Sequence, residues 1–240
     1  MAYKTGNPIL TDKAFKDLVA SNGEVMTLDG TVNKTMVLLA LLVGFGAVGW
    51  LFLASSFVVI IPSLVIAFVI AIVLAFKREW SPVLAPVYAV FEGIVLGIIS
   101  RLYNEQYAGI VLQAVALTLA ITFVMLMLYK TRIIKVTQNV RLAITSATLG
   151  IGLLYIVDLA MRLFGNGFQF ISGGGAIGIG FSIFVVGIAS LNLVMDFDFI
   201  ERGAEQGAPK YMEWYSAFGL MVTLVWLYLE ILRLLGKARR

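Results

Sequence analysis

Long uncharged stretches alternate with short charged ones along this 240-residue chain. The longest, residues 36–76, contains 41 residues without a charge. One helix needs about 20 apolar residues to cross roughly 30 Å of hydrocarbon, so this stretch predicts two helices, with a hairpin at Ser55 and Ser56. Extended to the whole chain, the pattern predicts an all-α protein with seven transmembrane helices. They are expected at residues 36–54, 57–76, 82–103, 107–129, 141–164, 176–195 and 212–235.

A polar N-terminal segment precedes the predicted spans. A short amphipathic helix is expected over Asp12–Ala20, and we place it at the membrane surface. The segment lacks an apolar core followed by a small-residue cleavage site, so no signal peptide is expected. Residues 25–32, which contain Asp29 and Gly30, are either a tight turn or an ordered lead-in to the first span. The expected divisions are a polar segment at 1–33, a transmembrane domain at 34–236 and a basic tail at 237–240.

Composition supports an integral membrane protein and narrows its chemistry. The chain is 60% hydrophobic and 13% charged, whereas soluble proteins are about 45–50% apolar and about 25% charged. Cysteine and histidine are absent, which excludes disulfides, thiol nucleophiles and Cys/His zinc sites. Any pH response must therefore come from carboxylates. We expect no cofactor and no nucleic-acid partner; the expected partners are the lipid bilayer and cations, and protein partners are unknown.

The basic residues predict an orientation. With the N-terminus inside, the inner segments carry twelve Lys and Arg residues and the outer segments carry six. Cytoplasmic loops are enriched in such residues, so the N-terminus is expected in the cytoplasm. The basic C-terminal tail argues the other way, and a seventh helix that re-enters the membrane without crossing it is the open alternative.

Carboxylates at three predicted depths are the candidate functional groups. An acid at membrane depth costs several kcal/mol unless it faces a partner or water, so it indicates an ion or proton pathway. Glu92 stands in the middle of the third span without a cationic neighbour one turn away, and we favour a functional role for it. Three acids are expected near the inner face and two toward the outer face. The inner ones are Asp196, Asp198 and Glu213, and the outer ones are Asp158 and Glu230.

The inner acids are expected to differ in role. Asp196 and Asp198 are about 200° apart on an ideal helix, so they do not face the same cavity. Asp198 can pair with Arg202 one turn on, and a solvated helix end is the favoured interpretation there. Asp196 is expected to look inward and to share a proton or hydrogen bond with Glu213, with transient Ca²⁺ binding as a possible use of the pair.

The outer acids and two glycines have structural alternatives. Asp158 with Arg162, and Glu230 with Arg233, have the spacing of intrahelical ion pairs, and pairing is weighed equally with pathway lining. Gly93 and Gly97 have the spacing that lets two helices approach closely, so packing beside Glu92 is their expected role.

Several of these stretches together resemble a known family. They are MTLDGTVNKT from Met26, FEGIVLGIIS from Phe91, and the C-terminal stretch from Leu191 to Leu235. They look like a bacterial branch of the Bax inhibitor-1 (transmembrane Bax inhibitor motif) family. The resemblance implies six helices around a central seventh and a pH-sensitive calcium leak gated by two aspartates. The first of these aspartates, late in the sixth helix, is matched by Asp196 or, less securely, by Asp198. The second, within the seventh helix, has no match, because residues 217–223 contain no acid. Glu213 is the nearest substitute for it.

Two classes of function follow from these expectations. The first is a pH-sensitive calcium or cation leak channel, gated by carboxylates at the ends of helices six and seven, in a bacterial inner membrane. The second is a non-transporting membrane protein that binds and regulates partner proteins. An enzyme is not expected, because the usual two facing aspartates of a carboxylate-only membrane protease are not evident.

Overall fold

The computed structural model of the protein describes residues 23–53, 57–168, 171 and 173–239. Within these ranges it contains seven long α-helices, each long and apolar enough to cross a membrane. The prediction of an all-α integral membrane protein with seven spans is confirmed. The amphipathic helix expected over Asp12–Ala20 and the hairpin at Ser55 and Ser56 lie outside the described residues. The helices are α1 (Leu28–Phe52), α2 (Phe57–Phe76), α3 (Ser81–Gln106), α4 (Ile110–Lys130), α5 (Gln138–Leu163), α6 (Ala176–Glu205) and α7 (Met212–Ala238).

Helix α1 begins eight residues earlier than the hydrophobic pattern predicted. Thr27 is its N-cap: the Thr27 hydroxyl accepts a hydrogen bond from the Gly30 amide at 3.0 Å. Just before it, the Met26 amide donates to the Ala208 carbonyl at 2.7 Å. Of the two interpretations of residues 25–32, the ordered lead-in is therefore the one that the structure contains.

Helix α6 continues to Glu205, ten residues beyond its predicted end. Asp196 and Asp198 consequently lie inside the helix, and the interpretation of Asp198 as a solvated helix end is wrong. Asp198 is only 7% exposed. Ion pairs with two arginines compensate its charge, so the helix can continue past it.

Glycines allow α1 and α3 to pack backbone to backbone. A Cβ atom added at Gly93 would overlap the carbonyl of Leu42, and one at Gly97 would overlap the carbonyl of Gly46. The two glycines therefore form the close helix approach that their spacing predicted. The contact holds α1 against the helix that carries Glu92.

Helix α7 is among the most buried elements. In its most apolar stretch 56% of residues are buried, compared with 22% or less in α1, α2, α4 and α5. It packs against α1, α3, α4 and α6. Tyr215 and Phe218 of α7 are fully buried, and the Phe218 ring contacts the Tyr88 ring of α3 edge to face.

Two ends of the bundle carry most of the charged groups. Helices α1, α3, α5 and α7 begin at one end, which we call the Glu213 end. There the Ser81 hydroxyl at the start of α3 donates to the Tyr211 carbonyl beside the start of α7. The same helices finish at the opposite end, which we call the Glu230 end, where Arg101 of α3 donates to the Trp50 carbonyl of α1 at 2.8 Å.

Candidate functional site

Glu213 joins the beginnings of α7 and α1. Its Oε1 accepts hydrogen bonds from the Thr27 amide at 3.0 Å and from the Thr27 hydroxyl at 2.9 Å. Lys210 lies 3.3 Å from Oε1 and Lys34 lies 3.5 Å from Oε2. Glu213 itself is fully buried. A carboxylate at a helix N-terminus satisfies backbone donors and complements the helix dipole, so these contacts are those of a cap and an ion pair between two helices.

Gly30 makes room for this carboxylate. A Cβ atom at position 30 would overlap the carboxylate of Glu213. A side chain at position 30 would therefore require the Glu213 carboxylate to move away from Thr27. The Thr27 and Lys34 contacts were not predicted, because the partners lie nearly the whole chain apart in sequence.

Asp198 is held between two arginines. Its Oδ1 accepts from Arg202 at 2.9 Å, as the one-turn spacing predicted. Its Oδ2 accepts from Arg141 of α5 at 2.8 Å, which the sequence did not indicate. Arg141 is 4% exposed. Burial of these charges is tolerated because they are paired, so Asp198 ties α5 to α6.

Glu201 extends this network at the same end of α6. It accepts a hydrogen bond from the Tyr129 hydroxyl of α4 and one from Arg132, in the α4–α5 connection, at 2.7 Å. The hydrogen bond from Arg132 to Glu201 raises the pKa of the Arg132 guanidinium. Sequence reasoning missed Glu201, Tyr129 and Arg132, since no local spacing connects them.

Asp196 is fully buried in α6. It lies nine residues before the end of α6, inside the helix and not at its end as predicted. Its predicted partnership with Glu213 stays a prediction, and Glu213 has the additional partners Thr27, Lys34 and Lys210.

Glu92 is buried at the middle depth of the bundle, with 9% of its surface exposed. Its hydrogen-bond partner is Tyr88, one turn earlier in α3. No basic side chain within the described ranges forms an ion pair with it. It thereby differs from Asp158, Asp198, Glu213 and Glu230, each of which has a cationic partner.

At the Glu230 end, Tyr155 connects α5 to α7. The Tyr155 hydroxyl donates to Glu230 at 2.8 Å and lies 2.7 Å from Arg233, which donates to it. Arg233 also donates to Glu230 at 3.0 Å. The Glu230–Arg233 ion pair follows the predicted spacing, whereas the role of Tyr155 was missed because an isolated tyrosine in an apolar helix carries no local signal.

Asp158 and Arg162 form the other predicted ion pair, at 2.7 Å. The second oxygen of Asp158 accepts from the Phe168 amide at 2.7 Å. Nearby, Lys237 of α7 donates to the Gly178 carbonyl at 3.0 Å and to the Ser182 hydroxyl at 2.7 Å. Asp158, Arg162 and Lys237 line a cavity of about 440 Å³.

The carboxylates are dispersed through the bundle. Among the described residues, no three acidic side chains are grouped closely enough to hold a metal ion. The arrangement thus offers single oxygen ligands at successive depths.

Comparison with known proteins identifies one family. The sequence model of a family described as Bax inhibitor 1 like matches residues 7–240. No curated protein and no solved structure matches the chain significantly. Because the match covers nearly the whole chain, the protein belongs to the Bax inhibitor 1 like family.

Proposed function

We propose that this member of the Bax inhibitor 1 like family is a cation leak pathway, with Ca²⁺ as the favoured ion. The observation that carries the proposal is Glu92. A buried carboxyl group at mid-depth is expensive in a membrane protein, and such groups characteristically serve ion or proton pathways. Tyr88 is its described hydrogen-bond partner, and no basic side chain in the described ranges forms an ion pair with it, so no cation of the described residues occupies its oxygens.

The distribution of the other acids supports the same function. Glu213 lies at one end, Asp196 and Glu92 lie within the membrane spans, and Glu230 lies toward the other end. Ca²⁺ prefers several oxygen ligands in a flexible arrangement. Separated carboxylates offer weak successive contacts, which suit conduction better than tight binding because an ion must also leave each site.

The pH sensitivity of the leak is proposed to depend on Asp196. This side chain is fully buried, so a change in its ionisation is expected to alter how α6 packs against its neighbours. The protonated form therefore suits the closed bundle, and ionisation favours an opening that admits water. Leak is expected to fall as pH falls and to rise as pH rises, with Glu213 as the proposed partner of Asp196.

The Glu213 end is proposed to face the cytoplasm of a bacterial cell, since twelve of the eighteen basic residues belong to the N-terminus and the segments at that side. A reporter fused after Lys135, between α4 and α5, is expected on the cytoplasmic side. A reporter found outside would reverse the proposed sides of the acids.

The leak itself is tested with the pure protein in liposomes loaded with Ca²⁺ and a fluorescent indicator. Glu92→Gln is expected to leave the protein folded and to change the Ca²⁺ flux severalfold. Glu105→Gln is the matched control because Glu105 lies on the same helix with an exposed side chain; its flux should equal that of the unmodified protein.

Two outcomes would contradict the proposal. Absence of flux from the unmodified protein would favour the alternative of a non-transporting protein that binds partners. Unchanged flux in Glu92→Gln, together with unfolding of Glu92→Leu, would make Glu92 a packing or hydrogen-bonding group.

A further inference from the structure

The cavity at the Glu230 end has the chemistry of an anion-binding site. Its volume is about 440 Å³, and its lining includes Arg162, Arg233, Lys237 and one carboxylate, Asp158. These charged lining groups sum to a net charge of +2, or to +1 when Glu230, the ion-pair partner of Arg233, is counted with them. A lining of this sign disfavours a cation and attracts an anion. The cavity is therefore unlike the carboxylate-bearing positions proposed for the leak.

Both arginines keep hydrogen-bond donors that no described residue accepts. A guanidinium has five N–H donors. In Arg162 the described hydrogen bond uses Nε, which donates to Asp158. In Arg233 the described hydrogen bonds all come from one terminal nitrogen, Nη1. The remaining donors belong to two side chains that line the same cavity.

Asp158 does not compete strongly for these donors. One of its oxygens accepts from Arg162 and the other accepts from the Phe168 amide. Both oxygens therefore already have donors within α5 and the segment that follows it. An entering anion would add to this arrangement and would not need to displace Asp158.

The ligand class follows from the donors and from the position of the cavity. An arginine guanidinium can donate two parallel hydrogen bonds to the oxygens of a phosphate or a carboxylate. A phosphate has enough oxygens to accept from two guanidinium groups at once. Tyr103 also lines the cavity, in the last turn of α3. Tyrosines are enriched where helices leave the hydrocarbon, which is the depth of lipid phosphates.

We propose that this cavity binds a phosphate group through Arg162 and Arg233, with Lys237 adding positive charge. The phosphate belongs either to an anionic lipid headgroup or to a free phosphate ion. The proposal is tested separately from the proposed cation leak, because it concerns equilibrium binding of an anion and not cation flux.

The test uses the full chain in phosphatidylcholine nanodiscs. In one arm, inorganic phosphate is titrated calorimetrically at constant ionic strength, with chloride as the reference anion. In the other, phosphatidylglycerol is added to the nanodiscs and retained lipid is counted by native mass spectrometry. Binding in the first arm alone identifies a free anion, binding in the second alone identifies a lipid, and binding in both identifies the shared phosphate chemistry.

Three variants decide whether binding occurs in this cavity. Arg162→Gln should weaken binding about tenfold or more, since it removes a charged hydrogen-bond donor. Asp158→Asn should strengthen binding severalfold, because it removes the negative charge from the lining. Arg101→Gln is the matched control: Arg101 is at the same end of the bundle but outside the cavity lining, and its loss should leave binding unchanged.

The proposal is overturned if neither probe binds the unmodified protein. It is equally overturned if Arg162→Gln binds as well as the unmodified protein, or if Arg101→Gln weakens binding as much as Arg162→Gln. In this ion pair Arg162 is half-exposed, whereas the Asp158 side chain is 9% exposed. The Phe168 amide still donates to Asp158 in Arg162→Gln, and the glutamine amide supplies a replacement donor, so we expect the variant to remain folded.

Discussion

The two ends of the bundle are stabilised by different kinds of charged contact. At the Glu213 end, partners come from distant parts of the chain: Glu213 and Thr27 are 186 residues apart, and Asp198 and Arg141 are 57 apart. At the Glu230 end, the ion pairs join residues three or four positions apart within one helix. At the first end, ion pairs therefore join different helices in addition to local pairs such as Asp198–Arg202. At the second end, hydrogen bonds from Arg101, Tyr155 and Lys237 connect the helices.

The difference has an energetic consequence. Glu213 is fully buried, and the Arg141 and Asp198 side chains are 5% and 10% exposed. Arg101 and Glu105 at the other end are 39% and 57% exposed. Removing one partner of a buried pair leaves an uncompensated charge, whereas an exposed pair contributes little. We expect the buried pairs of the Glu213 end to respond strongly to charge changes and the exposed Arg101–Glu105 pair to respond weakly. Asp158 and Glu230, whose side chains are 9% and 2% exposed, belong with the buried acids.

The largest expected effect is on the pH dependence of Ca²⁺ flux. If gating belongs to the Glu213 end, Asp196→Asn should remove most of the pH dependence between roughly pH 5 and 8, the range that a buried carboxylate can reach. Asp198→Asn should leave most of it, because Asp198 is fixed by two arginines. Liposome flux measured across that range tests this. An unaltered profile in Asp196→Asn would shift the proposal to Asp198 or Glu92.

The next effect is on stability. Glu213→Ala removes the acceptor of Thr27 and the counter-charge of Lys34 and Lys210, and should lower the free energy of unfolding by about 2–3 kcal/mol. This is below the full value for a buried pair, since both lysines are partly exposed. Unfolding in mixed detergent micelles gives the measurement.

Glu24→Ala is the control for Glu213→Ala. Glu24 also lies near Lys210, at 3.8 Å, but its side chain is 83% exposed. A change of less than about 0.5 kcal/mol is expected. Equal losses in the two variants would show that burial does not distinguish these contacts.

A smaller effect is expected from Arg141, one of the two arginines that pair with Asp198. In a double-mutant cycle of Arg141→Met and Asp198→Asn, we expect a coupling free energy of about 2 kcal/mol, within the range found for residues in contact. Arg202 also binds Asp198, so Arg141→Met leaves the carboxylate with one remaining cation. A coupling near zero would mean that Arg202 alone compensates Asp198.

The contrast between the ends also explains what the sequence could predict. Hydrophobic stretches of span length predicted seven helices, because the bilayer sets that length. Pairs one turn apart, such as Asp158 with Arg162, were predicted because helix geometry alone brings them together. These are local properties, and they describe the Glu230 end well.

Contacts between distant helices had no such signal. Nothing in the sequence around Arg141 indicates that it binds Asp198, and nothing around Thr27 indicates Glu213. The predicted end of α6 was wrong for the same reason, since charged residues were interpreted as leaving the membrane when their partners were unknown. Tyr155 was missed because the partner of its hydroxyl, Glu230, is 75 residues away in the sequence.

The smallest expected effect belongs to the exposed ion pair of α3. Glu105→Ala should change the free energy of unfolding by less than about 0.5 kcal/mol, because solvent screens the pair and both side chains remain mobile. Arg101→Ala should cost more than Glu105→Ala, since Arg101 also donates to the Trp50 carbonyl of α1 at 2.8 Å. The two variants thus separate a contact within one helix from a contact between two, at the same end of the bundle. If they prove equally mild, the hydrogen bond from Arg101 to Trp50 contributes nothing measurable, and stabilisation by distant partners would be restricted to buried contacts.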